Sequence, residues 1–198
     1  DLDPLAKYYN HPDMVQRRIV LKETIDAFDK ALYSDCYQRL AMANLKRWKN
    51  ESKVVYIAKK IQVFQGDWGD VTRKLTEEYG ECFVVLNMAN AYVPGGGYVE
   101  GMSAQEENMF RRTDCHFHVT SEEYDRAANQ YHPDMTELIS GKNGKVYLDI
   151  DNPRVCIRGS EDRSRDDLGY PWLKDDEIFP FYELRASAQD LRGEVNFS

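Results

Sequence analysis

Apolar positions along the chain fall into two regimes. From Asp13 to about Asn50 they recur at helical spacing. Met14, Ile19, Ile25, Phe28, Ala31 and Leu32 form one stripe, and Leu40, Met42, Ala43, Leu45 and Trp48 a second. Pro12 suits a first helical position, with Asn10 or His11 near the cap. After residue 50 the segments shorten. Lys53 to Val63 contains VVYIA and IQV, both read as strands, and Gly66-Asp67 punctuates the turn before a predicted helix through Glu78. CFVVLNMA, Cys82 to Ala89, has too little polar alternation for an exposed edge and predicts a central parallel strand. Ser103 to about Asp114 predicts another helix. KVYLDID and RVCIRG supply later strands, Glu161 to Asp176 a charged, turn-rich connection, and IFPFYELRASAQDLRG a final strand and exit. This alternation predicts an α/β sandwich with ligand loops at the carboxyl ends of strands.

With 198 residues the chain can bury one substantial core. A formal net charge of -8 argues against broad adhesion to nucleic acid or to an anionic membrane. It leaves room for a small phosphate site, because backbone amides and helix ends hold anions without lysine. Lys46, Arg47 and Lys49 read as a solvated helix face. Cys36, Cys82, Cys115 and Cys156 are widely spaced without a CxxC pair, which fits a reducing, intracellular compartment, cytoplasmic or nuclear. The apolar runs are too short for a transmembrane helix, and no signal peptide is visible. A first residue of Asp1 rather than methionine fits a processed or excised piece.

The chemistry concentrates between Asn87 and Glu107. Pro94 stiffens the entry to Gly95, Gly96 and Gly97, whose backbone a ligand can approach closely and whose consecutive amides can form an anion nest; a purely structural turn is the alternative. The run is neither a P-loop nor a GxGxxG fingerprint. Ser103, Ala104, Gln105 and Glu106 spell a capping box, with Ser103 as cap and Glu106 reaching back. Glu107 has a helical partner in Arg111. Each glutamate thus has a structural role open to it. The two also point about 100° apart around a helix, so both can address one ligand, one binding a sugar hydroxyl and the other exchanging a proton. His116 and His118 alternate after Cys115 and read as strand or loop packing rather than a metal site. His11 and His132, in NHPDM and YHPDM, mark helix starts. Phe181 and Tyr182 read as core or loop residues.

Asn87-Met-Ala-Asn90-Ala-Tyr-Val-Pro94-Gly-Gly-Gly97, followed after Tyr98–Ala104 by Gln105-Glu106-Glu107, resembles the poly(ADP-ribose) glycohydrolase branch of the macrodomain superfamily. The resemblance covers roughly residues 55–195. It implies a macrodomain-like three-layer sandwich with a mixed central sheet, residues 1–52 forming a helical N-terminal extension and 53–198 the catalytic region. It implies further that Glu107 is the catalytic carboxylate and Glu106 its neighbour on the ribose hydroxyls. Asn90 then contacts the distal ribose, and Gly95, Gly96 and Gly97 enclose that ribose and the diphosphate. Gln105 would place the helix or touch the ligand, and Asp67, in QGDW, resembles an acidic ligand residue near the first macrodomain strand.

The reaction implied is hydrolysis of ribose–ribose bonds in poly(ADP-ribose) with release of ADP-ribose. Glu107 donates a proton to the leaving oxygen and then activates water, and neither a metal nor a cofactor is needed. The alternatives are a noncatalytic ADP-ribose-binding module and a hydrolase of mono-ADP-ribose linked to a protein. No later glycine-rich loop or final βα units follow, so a C-terminal portion is expected to be missing, with sheet surface exposed in consequence.

Overall fold

The computed structural model describes residues 10–31, 36–54 and 61–188. Two helices open the chain: α1 over Pro12–Ala31 and α2 over Cys36–Glu51. Both expected helices are therefore present, but their buried faces differ from the predicted stripes. Met14, Phe28 and Trp48 are core as read, whereas Ile19 and Met42 are exposed and Val20, Leu21 and Ala41 turn inward instead. Leu32 lies outside the described residues. Most of the predicted VVYIA strand lies outside the described residues, and the IQV segment after it is irregular, with Ile61 and Val63 each 94% exposed.

Helix α3, Trp68–Tyr79, starts where Asp67 accepts from the amides of Gly69 and Asp70. It ends at Gly80, whose φ of +64° and contact with the Lys49 backbone leave no room for a side chain. Strand β1, Val84–Met88, leads through a long loop into α4, Gln105–Arg112. A single 3-10 turn, Cys115–His118, follows in place of the expected strand or loop. Short strands β2, Tyr124–Asp125, and β3, Gln130–Tyr131, make a hairpin, and α5 spans Pro133–Ile139. The two HPDM stretches do begin helices. Strands β4, Tyr147–Leu148, β5, Arg154–Cys156, and β6, Phe179–Ala186, complete the described elements.

Strand β6 organises the sheet. It pairs in parallel with β1 along one edge, and β5 and β4 follow one another antiparallel along the other. The sheet is mixed, as expected. Strand β1 is parallel as predicted, but among the described residues it lies at the sheet edge rather than in the centre. Only one of its faces is buried: Val85 and Asn87 point inward, while Val84, Leu86 and Met88 are 49%, 49% and 65% exposed. A continuous apolar run reads as doubly buried from sequence, whereas here half of it faces outward.

The inner face packs Val85, Phe179 and Phe181 against Met109 and Phe110 of α4 and Trp48 of α2. Phe181 is core, as read, and Tyr182 is half-buried on the opposite face. Among the described residues, no helix is long and apolar enough to cross a membrane.

Candidate active site

The β1–α4 loop is shaped by its own side chains before it meets any ligand. Asn90 Oδ1 accepts from the amides of Tyr92 and Val93 at 2.8 and 2.9 Å, an Asx turn that bends the chain away from the sheet. Gly95 and Gly96 then adopt φ of +74° and +55°, a left-handed path suited to glycine. A Cβ on Gly95 would strike the rings of Tyr98 and Phe110, which pack on each other with centroids 4.8 Å apart.

The glycine amides are all taken. Gly95 N–H donates to Glu106 Oε1 at 3.0 Å, Gly96 N–H to the Val93 carbonyl at 3.0 Å, and Gly97 N–H to Glu107 Oε1 at 3.0 Å. The expected anion nest exists, but the anions it holds are the protein's own glutamates. Flexible backbone and concentrated negative charge stand ten residues apart in sequence because they are hydrogen-bonded to each other in space.

The two carboxyls are not equivalent. Glu106, 3% exposed, accepts from the Asn90 amide at 2.7 Å through Oε2 and from Gly95 through Oε1, so both oxygens are engaged. Glu107, 9% exposed, has Oε1 on Gly97 while Oε2 is buried without a hydrogen-bond partner among the described residues. Burial, first, together with the nearby charges of Glu107 and Glu183, pushes the Glu106 carboxyl up to about 7 against the pull of the Asn90 and Gly95 amides. Gly96 lies so close that a Cβ there would fall 2.5 Å from Glu107 Oε1.

Beneath the pair runs a buried polar layer on the inner face of the sheet. Asn87 Nδ2 donates to Glu183 Oε1 at 2.8 Å and reaches Glu106 Oε1 at 3.5 Å. Glu183 in turn is bracketed by Arg154 and Arg185, each at 3.0 Å, and all three side chains are fully buried. Burial alone would raise the Glu183 carboxyl, but the two guanidiniums outweigh it and hold it below the usual carboxylate range.

The match to known proteins fits this geometry. Residues 6–139, more than half of the chain, match the family model described as microbial-type PARG, catalytic domain. The chain belongs to this family. Among solved structures it resembles the poly(ADP-ribose) glycohydrolase (PARG) of Thermomonospora curvata, with TM-score 0.53 and 18% identity, over 92% of this chain and 67% of that one. The structure of poly(ADP-ribose) glycohydrolase from Thermomonospora curvata bound to the inhibitor ADP-HPD matches with TM-score 0.49 and 18% identity, over 92% and 66%. The chain therefore spans about two thirds of the length of the solved structures it matches, and at 18% identity the likeness to the first speaks to the fold alone. No curated protein matches the sequence.

Against this PARG family frame, the structure brings Asn90, Gly95, Gly96, Gly97, Glu106 and Glu107 together and gives Gln105 a defined task. Its Oε1 accepts from the Met88 amide and its Nε2 donates to the Leu86 carbonyl, both at 2.9 Å, so the side chain pairs with the backbone of β1 as a strand would. Gln105 places the helix.

Asp67 is differently occupied: it caps α3 and pairs with Arg112 at 2.8 Å, and that guanidinium stacks over Trp68. The capping box does not form. Ala104 is the N-cap, without a side-chain bond, because Glu106 turns inward to the loop amides instead of back to Ser103. Nor does Glu107 pair with Arg111, which donates to the Met102 carbonyl and to Tyr170 Oη. His116 hydrogen-bonds Tyr98 Oη and His118 faces Asp114. Among the described residues no cluster of three or more His, Cys, Asp or Glu side chains converges to hold a metal.

Sequence reasoning missed Asn87 and the Arg154–Glu183–Arg185 layer. A signal was present. Phe179, Phe181, Glu183 and Arg185 share one strand face at period two, and charges in register with buried phenylalanines mark an internal ion pair.

Proposed function

We propose that the chain hydrolyses ribose–ribose O-glycosidic bonds of poly(ADP-ribose) and releases ADP-ribose, with Glu107 as the proton donor. The observation that carries this reading is the asymmetry of the Glu107 carboxyl: one oxygen is fixed by the Gly97 amide, and the other has no partner among the described residues. A fixed carboxyl with one free oxygen is placed to give its proton to the leaving oxygen as the anomeric C–O bond breaks. The carboxylate so formed then takes a proton from the water that attacks the anomeric carbon, which returns Glu107 to its starting state.

Glu106 cannot share this role, because both its oxygens are occupied by amides. It holds the loop in place and, in the ionised form it takes as pH rises through about 7, offers negative charge to the ribosyl cation that develops. Asn90 has its carbonyl tied into the turn, leaving Nδ2 to meet a ribose hydroxyl. Two glutamates adjacent on one helix do not flank a bond from opposite faces, so the chemistry is that of a single acid rather than of a spaced carboxylate pair.

The test compares the parent with Glu107→Gln on poly(ADP-ribose), following free ADP-ribose by mass-resolved chromatography. The variant is expected to lose about 100-fold or more of the release while still binding the polymer. Equal release by both would remove Glu107 from the role. Binding without release by the parent would leave ADP-ribose recognition as the function.

A further inference from the structure

One turn after Glu107 on the same helix stands a buried arginine that the proposed reaction does not use. Arg111 donates Nε to Tyr170 Oη at 3.1 Å and Nη1 to the Met102 carbonyl at 2.6 Å, while Nη2 is buried without a hydrogen-bond partner among the described residues. A guanidinium sunk in the protein with one arm unbonded is costly to keep.

The bond to Met102 closes a ring of contacts. Met102 N–H donates to the Gly97 carbonyl at 3.1 Å, and Gly97 N–H donates to Glu107 Oε1 at 3.0 Å. From Glu107 the ring returns along α4 to Arg111. The Gly97–Met102 segment is therefore hitched to the helix twice, by a carboxyl at one end and a guanidinium at the other. A shift at Met102 is passed to Gly97, and from Gly97 to the fixed oxygen of the acid.

Outside the ring, one phenol aims the Arg111 fork. Tyr170 is fully buried and holds a left-handed φ of +51°, a conformation that is costly for a bulky residue. Its Oη accepts from Arg111 Nε and, at 3.3 Å, from Asn108 Nδ2, and it donates to Glu161 Oε2 at 2.8 Å. Asn108 is the residue directly after Glu107. Glu161 Oε1 takes Arg17 Nη2 of α1 at 2.7 Å, and Arg17 Nη1 reaches the Gly101 carbonyl at 3.5 Å. The hydroxyl thus gathers the helix on which the acid stands and, through Glu161 and Arg17, the loop one residue before Met102. Neither Glu161 nor Tyr170 falls within the residues 6–139 that match the family model.

We propose that Tyr170 is a positioning residue for the proton donor: its hydroxyl fixes the Arg111 fork, Arg111 fixes the Met102 end of the glycine loop, and the Gly97 amide then holds Glu107 Oε1 in place. The proposal rests on the reading of Glu107 as the acid given above. A phenol fits the task because it accepts from two N–H donors while giving its own proton to a carboxylate. Phenylalanine keeps the ring and loses all three bonds, so one substitution separates the hydroxyl from the packing.

Tyr170→Phe is tested by two readouts, one without turnover and one with it. Amide hydrogen exchange is followed at Gly97 and, as a report on the sheet, at Tyr182, whose N–H donates to the Phe83 carbonyl at 2.9 Å. Gly97 is expected to exchange about tenfold faster, the scale of one hydrogen bond, with Tyr182 within about twofold of the parent. On poly(ADP-ribose), kcat should fall about tenfold with KM within about twofold. In a Glu107→Gln background the same change should alter the residual release less than about twofold, because it acts through the carboxyl already removed. Arg111→Lys, which replaces the planar fork with a single cation, breaks the ring at a second place and should reproduce the exchange pattern even if Tyr170→Phe does not fold. Unchanged exchange at Gly97, equal acceleration at Gly97 and Tyr182, or a rise in KM at constant kcat would overturn the assignment. Absence of ADP-ribose release by the parent would count against the proposed reaction alone, since the exchange measurement needs no turnover.

Discussion

Asn87 donates its side-chain amide to Glu183 Oε1 at 2.8 Å, and with that one bond the buried centre of the sheet is joined to the floor of the acidic pair. The strand residue and the helix residue above it are not independent parts. Glu106 rests against Asn87, Asn87 against Glu183, and Glu183 between two arginines that no solvent reaches.

Removing the centre of that layer should unfold much of it. Glu183→Ala leaves Arg154 and Arg185 buried without their carboxylate and is expected to cost about 3–5 kcal/mol in urea unfolding. A loss below about 1 kcal/mol would contradict the layer's role. The pH dependence has a definite sign. The folded-state carboxyl is held low, so its contribution is complete above the ordinary glutamate range and is lost as pH falls through the lowered value.

Glu106 works in the opposite direction. Its carboxyl is raised to about 7, so its stabilising contribution is full below an ordinary glutamate value and is lost as pH rises through about 7. Over that window the fold should give up on the order of 3 kcal/mol from this group. Carbon-13 NMR of labelled glutamate side chains should show one carboxyl titrating near neutrality. Its disappearance in Glu106→Gln assigns it, and titration of every glutamate below pH 5 would refute the expectation.

Gly96→Ala tests the close approach to Glu107. The substitution combines a left-handed φ of +55° with a Cβ placed 2.5 Å from Glu107 Oε1. The backbone penalty is about 1–2 kcal/mol, and displacement of the acid should reduce turnover about 100-fold. Gly141→Ala is the control: it has a similar φ of +67° but open space around the added carbon. It should lose comparable stability and keep its activity. Matching activity losses in the two variants would show that backbone strain, not the carboxyl contact, is responsible.

Much of this was legible from the chain itself. Helical spacing marked α1 and α2, the HPDM stretches marked two helix starts, and the grouping of Asn90, the glycines and Gln105-Glu106-Glu107 brought the site together. Directions of hydrogen bonds were not legible. Ser103 and Glu106 satisfy the spacing of a capping box, yet the loop amides of Asn90 and Gly95 offer Glu106 buried partners that outcompete a solvent-exposed one. Gln105 read either as placing the helix or as touching the ligand, and only its bonds to the Leu86 carbonyl and Met88 amide of β1 show why an amide with both a donor and an acceptor stands there. Asp67 carried a plausible sequence context for ligand binding. Its bond to Arg112, 45 residues along, is a tertiary fact that no local pattern contains.

The tethering of the glycine loop by the glutamates has a consequence for how substrate is met. Ordering a backbone residue costs roughly 1–2 kcal/mol of conformational entropy, and glycine loses more freedom than any other residue. At Gly95 and Gly97 that loss is incurred on folding, when the amides close onto Glu106 and Glu107. On the proposed reading of this loop as a substrate wall, an arriving sugar meets it already set, so that its own contacts are not drawn down by the need to freeze it. The stretch of chain with the greatest intrinsic freedom is thereby made a rigid wall of the candidate site.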